Sequence, residues 1–596
     1  MKTAWDELGA DLFAFYDDSC TVYLLRYGDC ALVIDFATGR WLDHLGEIGV
    51  RHVEHVVLTH AHRDQCCGLY RGRQGAWTLH VPAGDRPLLD AQSHAAFWNG
   101  CQNNGCPSNY AAPRLPLPHA VYDLQADGEL ELGPVHLCAI ATPGHTRGAL
   151  TYLVAWRGRD IAFCGDALCG EGAVHQPYHL EWDHWTGGGA LAAWHGLERL
   201  GYCHIDLLLP SHGAPIMRRA GATIKKTQRN LMGLLRAKGS VCAGAKNRWW
   251  PTEAVGAARR VLPHLYHFGA NSFLLVSEGG EGFVVDPQRA DIEALAPLVD
   301  ELGIERISAA TATHYHSDHS DGLNYVRARW GAAVWLHPWV AEPLRDRNRL
   351  EVPWLPTESI EPDRMLPNEG RFRWNEYAFS IRPFPGQTWW HCAFDASIDG
   401  EHVLFSGDNF QPPSRWNGTG GFCAFNGSRF VEGFQRSAQA VLDMAPSLIC
   451  NGHGCIYPFS ADQYRRILRW SARAEDQVRA LCASDDWRSV YDPRALRLEP
   501  FVQRVSPGRT VELTFVVTNT SAERVDIEVD PIGPSGWTVR TDRTRLRVAA
   551  DATRTLRWMV SVPRAAVVGR YICSVDVRVD GHLRAEACAA LVDVER

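Results

Sequence analysis

The sequence of 596 residues predicts two consecutive copies of an α/β domain followed by a smaller all-β domain. Two observations support this prediction: four short motifs recur in the same order, and the last hundred residues alternate apolar with polar side chains. Hydrophobic residues make up 46% of the chain and charged residues 21%, which is typical of globular proteins. The predicted boundaries are 1–240 for the first copy, 241–257 for a linker, 258–485 for the second copy and 491–596 for the all-β domain.

The repeat rests on motifs that contain histidine, glycine and aspartate. The first copy has Thr-His-Ala-His-Arg-Asp at 59–64, Pro-Gly-His-Thr at 143–146, Cys-Gly-Asp at 164–166 and Ser-His-Gly at 211–213. The second has Thr-His-Tyr-His-Ser-Asp at 313–318, Pro-Gly-Gln-Thr at 385–388, Ser-Gly-Asp at 406–408 and Gly-His-Gly at 452–454. The first pair is offset by 254 residues and the others by 241 or 242. Such a regular order indicates two versions of one domain.

Each copy carries the pattern of an α/β domain. Short apolar runs near turn residues predict buried strands at 31–34, 55–58, 271–276 and 282–286. Apolar residues at helical spacing predict helices at 190–200, 434–444 and 463–481, and further helices are expected after the histidine motifs.

The C-terminal segment predicts an antiparallel β-sandwich of about seven strands. Apolar and polar residues alternate at 511–517, 525–529, 538–540, 546–548, 555–562 and 572–579. The phrase Ser-Pro-Gly-Arg-Thr at 506–510, with Thr-Asn-Thr at 518–520, resembles bacterial immunoglobulin-like accessory modules. This resemblance implies a fold and not an activity.

Composition excludes several classes of function. The formal net charge of −8 argues against nucleic acid as a partner. We expect no membrane span, because no stretch of about 18 residues is continuously apolar. Residues 1–20 lack a basic start and an apolar run, so we expect no signal peptide. The 18 cysteines show no disulfide framework, which favours a cytoplasmic protein with reduced thiols.

The form His-x-His-x-Asp indicates a metal site. Zinc binds imidazole and carboxylate ligands, and catalytic zinc sites keep one position open. Two histidines one residue apart on a loop after a strand can both reach one ion, and the aspartate can reach a second ion or a water molecule. More distant histidines and a carboxylate would complete the shells.

Together these motifs resemble the metallo-β-lactamase superfamily of hydrolases over roughly residues 8–240 and 258–482. The resemblance implies a four-layer αββα sandwich in each copy, with metal ions at one edge of the two sheets. In the first copy it assigns His60, His62 and His145 to the first metal, with Asp166 as the bridge. Its second-metal set is Asp64, Asp166 and His212, with Gln65 where the family has histidine. In the second copy it assigns Asp318, His319, Asp408 and His453 to the second metal. The first set there is His314 and His316, with Gln387 where the family has histidine.

These departures lead us to expect that each copy holds one ion firmly and a second more loosely. The expected cofactor is Zn²⁺, one or two ions per copy, although iron or manganese would fit the same ligands. His391 is an alternative ligand in place of Gln387, and the adjacent thiols Cys66 and Cys67 are alternatives to an imidazole at Gln65. Packing residues are the simpler interpretation of all three.

Other polar features are given structural interpretations. His175, His179 and His184 are expected to be ordinary histidines. The pair Cys101 and Cys106 offers only half of a zinc site. The glycan-acceptor patterns at 417–419 and 426–428 have no secretion signal to support them. Loop aromatics and amides are candidates for substrate walls or for simple loop packing: Trp98, Asn99, Asn103, Asn104, Tyr110, Tyr178, Trp182, Trp185, Trp416, Phe422, Phe425 and Arg429.

The resemblance implies a metal-dependent hydrolase that acts on a small molecule. A zinc-activated hydroxide, oriented by Asp64 or Asp318 as the catalytic carboxylates, would attack an ester, thioester, lactone, amide or phosphodiester bond. One alternative is a mononuclear-iron enzyme of thiol-linked oxygen chemistry. Another is a non-catalytic, metal-stabilised scaffold whose C-terminal sandwich binds a protein partner or carbohydrate. A chain in which only one copy is active stays open as well.

Overall fold

The computed structural model describes residues 4–70, 75–100, 112–117, 121–181, 188–239, 246–412, 421–483 and 492–596. Several residues singled out in the sequence lie outside these ranges: Cys101, Asn103, Asn104, Cys106, Tyr110, Trp182, His184, Trp185, Trp416, Asn417 and Thr419.

The first copy contains two sheets in which neighbouring strands follow chain order. The first sheet has β1 (Asp6–Gly9), β2 (Leu12–Tyr16), β3 (Thr21–Tyr27), β4 (Cys30–Ile34), β5 (His52–Val57), β6 (Thr78–Pro82) and β7 (Val121–Leu124). The second has β8 (Glu129–Leu132), β9 (Val135–Ala141), β10 (Leu150–Trp156), β11 (Arg159–Gly165) and β12 (Leu207–Pro210). Strands β4 to β7 run parallel, as do β11 and β12.

Helices cover the outer faces of these sheets. They are α1 (Arg63–Tyr70), α2 (Ala91–Gly100), α3 (Gly188–Leu200) and α4 (Ala220–Lys238), with 3-10 turns at Arg40–Ile48, Ala83–Leu88 and Pro177–Glu181. Between the sheets, side chains such as Leu25, Tyr152 and Phe163 form a buried core. Leu69 of α1 belongs to the core on one outer face, and Leu197 of α3 belongs to the core on the other. The predicted αββα order is confirmed.

The second copy repeats the arrangement. One sheet has β13 (Glu253–Val255), β14 (Ala258–Leu262), β15 (Leu265–Phe268), β16 (Ser272–Val276), β17 (Glu281–Val285), β18 (Arg306–Thr311), β19 (Ala333–Leu336) and β20 (Arg364–Met365). The other has β21 (Gly370–Trp374), β22 (Tyr377–Pro383), β23 (Cys392–Ile398), β24 (Glu401–Gly407), β25 (Leu448–Asn451) and β26 (Cys455–Pro458).

Its helices are α5 (Ile292–Glu301), α6 (Ser317–Ser320), α7 (Leu323–Trp330), α8 (Pro338–Arg345), α9 (Arg436–Met444) and α10 (Ala461–Leu481). Short 3-10 turns occur at Arg289–Asp291 and Ala424–Asn426, and a π-helix at Phe430–Gln435 precedes α9. Strand β13 and Trp250, which packs on the core of this copy, lie in the segment predicted as a linker. That part of 241–257 therefore belongs to the second copy, because its tryptophan is partly buried there.

The all-β domain predicted at the C-terminus is confirmed, with more strands than the expected seven among its described residues. They are β27 (Leu496–Glu499), β28 (Val502–Val505), β29 (Thr510–Thr518), β30 (Val525–Ile532), β31 (Thr538–Thr541), β32 (Arg545–Val548), β33 (Thr553–Ser561), β34 (Gly569–Val579) and β35 (His582–Val594). One sheet has the order β27-β29-β33-β31 and the other β28-β35-β34-β30-β32. The strands β27, β28 and β35 have no counterpart among the predicted segments, and β27 and β28 are only four residues long and contain arginine or glutamate.

Contacts divide the chain into two compact units. One unit contains the described residues up to 235 together with residues 477–596, and the other contains residues 236–476. The C-terminal sandwich therefore belongs to the same unit as the first copy. The predicted boundaries at 240, 485 and 491 fall outside the described residues and stay predictions. No helix in the described part of the chain is long and apolar enough to cross a membrane.

Candidate metal centres

Both candidate centres are built on the same backbone support. In the first copy, Asp35 accepts hydrogen bonds from the Thr59 backbone N–H (2.8 Å) and hydroxyl (2.9 Å), and Thr59 Oγ1 lies 3.1 Å from His60 Nδ1. In the second copy, Asp286 accepts from the Thr313 N–H (2.6 Å) and hydroxyl (2.7 Å). Because the aspartate fixes the threonine at the end of the strand, the next side chain in each motif has a set direction.

Three imidazoles of the first copy converge. His62 Nδ1 lies 2.9 Å from His145 Nε2, and the ring centroids of His60, His62 and His145 lie 4.5 to 4.9 Å apart. The Nε2 atoms of His60 and His145 lie 3.5 and 3.3 Å from Asp166 Oδ2. All three rings are buried, and their nitrogen atoms are close enough to share one ion. The arrangement matches the ligand set that the resemblance implies for a first metal.

A second cluster of the first copy lies toward the solvent. His212 Nδ1 is 2.8 Å from Asp166 Oδ1, and His212 Nε2 is 3.3 Å from Asp64 Oδ2. His175 also belongs to this cluster, which differs from the expectation of an ordinary histidine. Its ring stacks on His212 with centroids 3.5 Å apart, and its Nε2 lies 3.8 Å from Asp64 Oδ2. No sequence pattern indicates a role for this residue, because His175 lies outside all four motifs and only the fold brings it near His212.

Electrostatics of the first copy favour metal-binding protonation states at His60, His145 and Asp166, whereas His212 has to lose a proton before it can bind an ion. Burial lowers the pKa of His60 to about 4 and that of His145 well below its ordinary value, so both rings are neutral at pH 7. Burial alone would raise the pKa of Asp166, but the neighbouring His212 and His145 hold it well below its usual range. For His212 the carboxylates of Asp166 and Asp64 outweigh burial and raise the pKa to about 9. Neutral imidazoles and an ionised carboxylate are the forms that bind metal.

In the corresponding first cluster of the second copy, the motif positions supply two imidazoles, His314 and His316. His314 Nε2 lies 3.1 Å from His316 Nδ1. Gln387 takes the place of the third imidazole, and its amide N–H donates to Asp408 Oδ2 at 2.9 Å. Asn426 lies beside it: its side-chain amide contacts His316 Nε2 and donates to the Gln387 carbonyl at 3.0 Å. The cluster is thus a hydrogen-bonded network with fewer metal-binding nitrogens than in the first copy.

The second cluster of the second copy retains its full set. His319 Nε2 lies 3.1 Å from Asp408 Oδ1, and His453 Nε2 lies 3.1 Å from Asp408 Oδ2. Asp318 Oδ2 is 3.7 Å from the Nε2 atom of each of these histidines. His319 Nδ1 lies 3.1 Å from Asp286 Oδ2, so the support aspartate also orients this ring.

In the second copy too, burial lowers the pKa of the first-cluster histidines, whereas carboxylates raise the pKa of a second-cluster histidine. Burial lowers the pKa of His314 well below its ordinary value and that of His316 to about 4. Burial would also lower the pKa of His319, but Asp408, Asp318 and Asp286 raise it well above 6.5. Burial would raise the pKa of Asp408, but His453 and His319 hold it well below its usual range.

The donor sets fit metal ions. Gln65 Oε1 and Gln387 Oε1 are buried and make no hydrogen bond to any described residue, as is also true of His60 Nε2 and His145 Nδ1. An unsatisfied buried polar atom costs free energy, so these atoms need a partner that the described side chains do not supply. A divalent ion bound by imidazole and carboxylate is such a partner for His60, and an amide oxygen is a weaker ligand of the same ion.

The structure bears on the alternative ligands. His391 is fully buried, its ring lies parallel to His314 with centroids 4.8 Å apart, and neither nitrogen bonds to a described residue. It therefore stays an alternative ligand in the second copy. Cys66 donates from its thiol to the His62 carbonyl at 3.2 Å, and burial raises the pKa of this thiol well above its ordinary value. Cys66 is thus a packing residue in its neutral form.

The structure also shows the surroundings of the glycan-acceptor pattern at 426–428 and of His179. Asn426 and Ser428 are fully buried and hydrogen-bonded within the second copy, so the pattern at 426–428 is not an accessible glycan acceptor. His179 packs against His62 and His145, with ring centroids 4.3 and 4.7 Å away, and its Nε2 lies 2.8 Å from Gln176 Oε1.

A cavity of about 290 Å³ opens beside the second cluster of the first copy. Asp64, His175, His212 and Tyr178 form one side, and residues 582–587 of the C-terminal sandwich form another. Among the loop aromatics that the structure describes, Tyr178 lines this cavity, whereas Trp98 packs with Ala112 and Phe501 against the sandwich. The volume lies near the lower end of the range for small-molecule sites.

Comparison with known families supports the sequence interpretation. A model of the metallo-beta-lactamase superfamily matches residues 15–199 and 265–469, which together exceed half of the chain. A model described as the NPCBM-associated, NEW3 domain of alpha-galactosidase matches residues 505–580.

Individual relatives match parts of the chain. The probable metallo-hydrolase YqgX of Bacillus subtilis (strain 168) is 30% identical over 115 residues, 19% of this chain and 48% of the relative. The hydroxyacylglutathione hydrolase of Albidiferax ferrireducens is 30% identical over 142 residues, 24% of this chain and 48% of the relative. The chain thus spans about half the length of both. Among solved structures, the metallo-beta-lactamase FEZ-1 from Legionella gormanii has 18% identity and a TM-score of 0.31, covering 39% of this chain and 95% of its own. The Rm3 metallo-beta-lactamase has 16% identity and a TM-score of 0.30, covering 39% and 93%.

Proposed function

Because the chain belongs to the metallo-β-lactamase superfamily, we propose that it is a metal-dependent hydrolase whose first copy carries the complete set of three imidazoles for a first metal. The single observation that carries the proposal is the convergence of His60, His62 and His145, since burial lowers the pKa of His60 and that of His145 and keeps both rings neutral. The printed names of both curated relatives describe hydrolases, which favours hydrolysis over oxygen chemistry.

The proposed ligands are those of the two clusters. His60, His62 and His145 would hold one ion, and Asp64, Asp166, Gln65 and His212 a second, with Asp166 facing both. In the second copy, Asp318, His319, Asp408 and His453 would hold one ion, and His314, His316 and Gln387 would bind another weakly. The chemistry that a divalent ion supplies in such a site is activation of water and polarisation of the oxygen of the scissile bond.

The chain's own residues perform the remaining tasks. Asp64, with a pKa that burial raises to about 6, lies at the cavity wall, where its Oδ2 can accept a proton from water and return it to the leaving group. Asp318 is the corresponding carboxylate of the second copy. The cavity takes a small molecule with an ester, thioester, lactone, amide or phosphodiester bond. Zinc is the proposed metal and the cytoplasm the proposed location.

The test combines metal content with a hydrolase screen on the full chain. We expect His62→Ala to lose about one zinc-class ion per chain and hydrolysis of the substrate found in the screen. His195→Ala is the matched control, because His195 is an exposed histidine of α3 that contacts its neighbours Trp194 and Glu198 on that helix. Turnover that persists in a His62→Ala, His316→Ala double variant would exclude the metal mechanism. Oxygen consumption with bound iron would instead support the oxygenase alternative.

A further inference from the structure

A buried carboxylate of the C-terminal sandwich, that of Glu586, contacts helix α1 beside the metal centre of the first copy. The pairing of β34 with β35 shifts register between Val575 and Val577, which face Cys588 and Arg584. The bulge that results includes Glu586, whose φ is +48°, a conformation rare for a non-glycine residue. Its backbone N–H donates to Asp576 Oδ1 at 2.7 Å, and its side chain is buried. Such bulges re-aim a side chain out of the sheet.

Glu586 contacts both ends of helix α1. At the C-terminal end, the Tyr70 hydroxyl donates to Glu586 Oε2 at 3.0 Å. At the N-terminal end, Arg63 Nε lies 4.0 Å from the same oxygen, and Arg63 also donates to the Glu586 carbonyl. Arg114 approaches the other carboxylate oxygen at 3.7 Å.

Arg63 stands inside the metal-binding motif, between His62 and Asp64. Its side chain is 3% exposed, and it donates to the Ala112 carbonyl as well as to Glu586. A guanidinium that is buried and held on both sides has little freedom to move. The positions of the neighbouring ligands His62 and Asp64 therefore depend on the pairing of Arg63 with the sandwich.

The same strand lines the cavity at the metal site. Residues 582–587 of this strand, which include Glu586, line the cavity together with Asp64, His175 and His212. Trp98 and Ala112 from the first copy also pack with Phe501, Ile572 and Leu591 of the sandwich in one buried cluster. The sandwich is thus in contact with the first copy at the metal-binding loop itself.

We propose that the C-terminal sandwich forms part of the metal centre of the first copy and that Glu586 is a positioning residue for the ligands of that centre. Glu586 fixes Arg63 and Tyr70, hence helix α1, and so sets the spacing of His62 and Asp64. Strand β35 completes the cavity in which the small-molecule substrate binds. This inference rests on the proposed function, because it assumes that His62 and Asp64 bind metal.

The experiment measures metal affinity in the full chain. The variants are Glu586→Gln, which keeps the shape and removes the charge, and Tyr70→Phe, which removes one hydrogen bond. The matched control is Glu512→Gln, a sandwich glutamate that pairs with Arg557 on an exposed face. The dissociation constant for Zn²⁺ is obtained by chelator competition, and the Co²⁺ absorption spectrum reports the ligand geometry. The signal lost in His62→Ala defines the contribution of the first site, and thermal unfolding is recorded for every variant.

We expect Glu586→Gln to weaken metal binding at the first site about tenfold and to change its Co²⁺ spectrum, since groups that orient ligands have effects of this size. Tyr70→Phe should shift both in the same direction by less, and Glu512→Gln should change neither. An Arg63→Gln, Glu586→Gln double variant should be no weaker than Glu586→Gln alone.

Each other outcome has a definite meaning. A folded Glu586→Gln chain with wild-type affinity and spectrum would overturn the inference and leave the proposed function intact. If Glu586→Gln fails to fold, Tyr70→Phe decides: unchanged metal binding there overturns the inference, and weakened binding supports it. A wild-type chain with no His62-dependent metal would overturn both proposals.

Discussion

The two copies differ in their ligands far more than in their supports. Asp35, Thr59 and His60 in the first copy make the same hydrogen bonds as Asp286, Thr313 and His314 in the second. The glycine before Asp166 or Asp408, which is Gly165 or Gly407, has φ of +54° or +51°. A Cβ at Gly165 would lie 2.8 Å from the Thr59 side chain, so only glycine fits without movement. The backbone that presents the ligands is therefore alike in both copies.

The ligands themselves are complementary. The first copy has the third imidazole, His145, and lacks an imidazole at Gln65, whereas the second copy has His319 and lacks one at Gln387. In both cases the glutamine amide N–H approaches the bridging aspartate, at 3.4 Å for Gln65 and 2.9 Å for Gln387. A glutamine therefore occupies a ligand position in each copy without changing the scaffold. We expect the choice of this one side chain to decide where an ion binds tightly.

The largest expected effect comes from exchanging those side chains. His145→Gln should weaken the tightest ion of the first copy by more than about tenfold, because a weaker neutral oxygen replaces an imidazole nitrogen in the shell itself. Gln387→His should create a three-imidazole cluster in the second copy and tighten its first ion by a similar factor. Elemental analysis and chelator competition on the full chain measure both changes.

Asn426 complicates the second exchange, since it contacts His316 Nε2 and the Gln387 carbonyl. The control is therefore Gln387→His combined with Asn426→Ala. If neither Gln387→His chain gains affinity while His145→Gln loses it, the ligand difference alone does not explain the comparison.

A smaller effect is expected at His175, which sharpens the contrast between the solvent-facing clusters. His175→Ala removes the ring that stacks on His212 and lies 3.8 Å from Asp64. We expect the second ion of the first copy to bind about tenfold more weakly, as for loss of a group that orients ligands. His195→Ala is the control, and chelator competition is the measurement. Unchanged affinity in His175→Ala would mean that this histidine is a neighbour of the site and not part of it.

Local patterns in the sequence predict the α/β class, the repeat and the motif residues, whereas the αββα order came from the family resemblance. Apolar runs located β4, β5, β16 and β17, and the recurring motifs located the residues that converge in each cluster. His175, Asn426 and Glu586 were missed as site residues for a common reason. Each lies far along the chain from the residues it contacts, as with Glu586 and Arg63, and none belongs to a repeated motif. Only the fold brings such residues together, so a single sequence carries no signal for them.

The smallest expected effect concerns the residues that follow two equivalent strands, β6 in the first copy and β19 in the second. In the first copy, Asp85 after β6 accepts from the Ala61 N–H and the Thr146 hydroxyl. In the second copy, His337 after β19 caps helix α8: its Nδ1 accepts from the Trp339 N–H at 3.1 Å, and its Nε2 donates to the Asn368 carbonyl at 2.7 Å. This cap requires a neutral ring, so the second copy should be the more sensitive to acid at this place.

Burial lowers the pKa of His337 to about 4, from an ordinary value of 6.5. Between pH 4 and pH 6.5, His337 binds more protons when α8 is locally unfolded than when it is folded. The stability that this cap contributes is therefore complete above pH 6.5 and falls as the pH drops toward 4. At pH 5.5 the loss is about 1.4 kcal/mol, which is about a tenfold fall in the protection of the α8 amides against hydrogen exchange. His337→Asn keeps a capping side chain without a titrating group and should abolish the pH dependence. If α8 is equally sensitive to acid in the wild-type and His337→Asn chains, another group is responsible. The contrast between the ends of β6 and β19 would then have no energetic consequence.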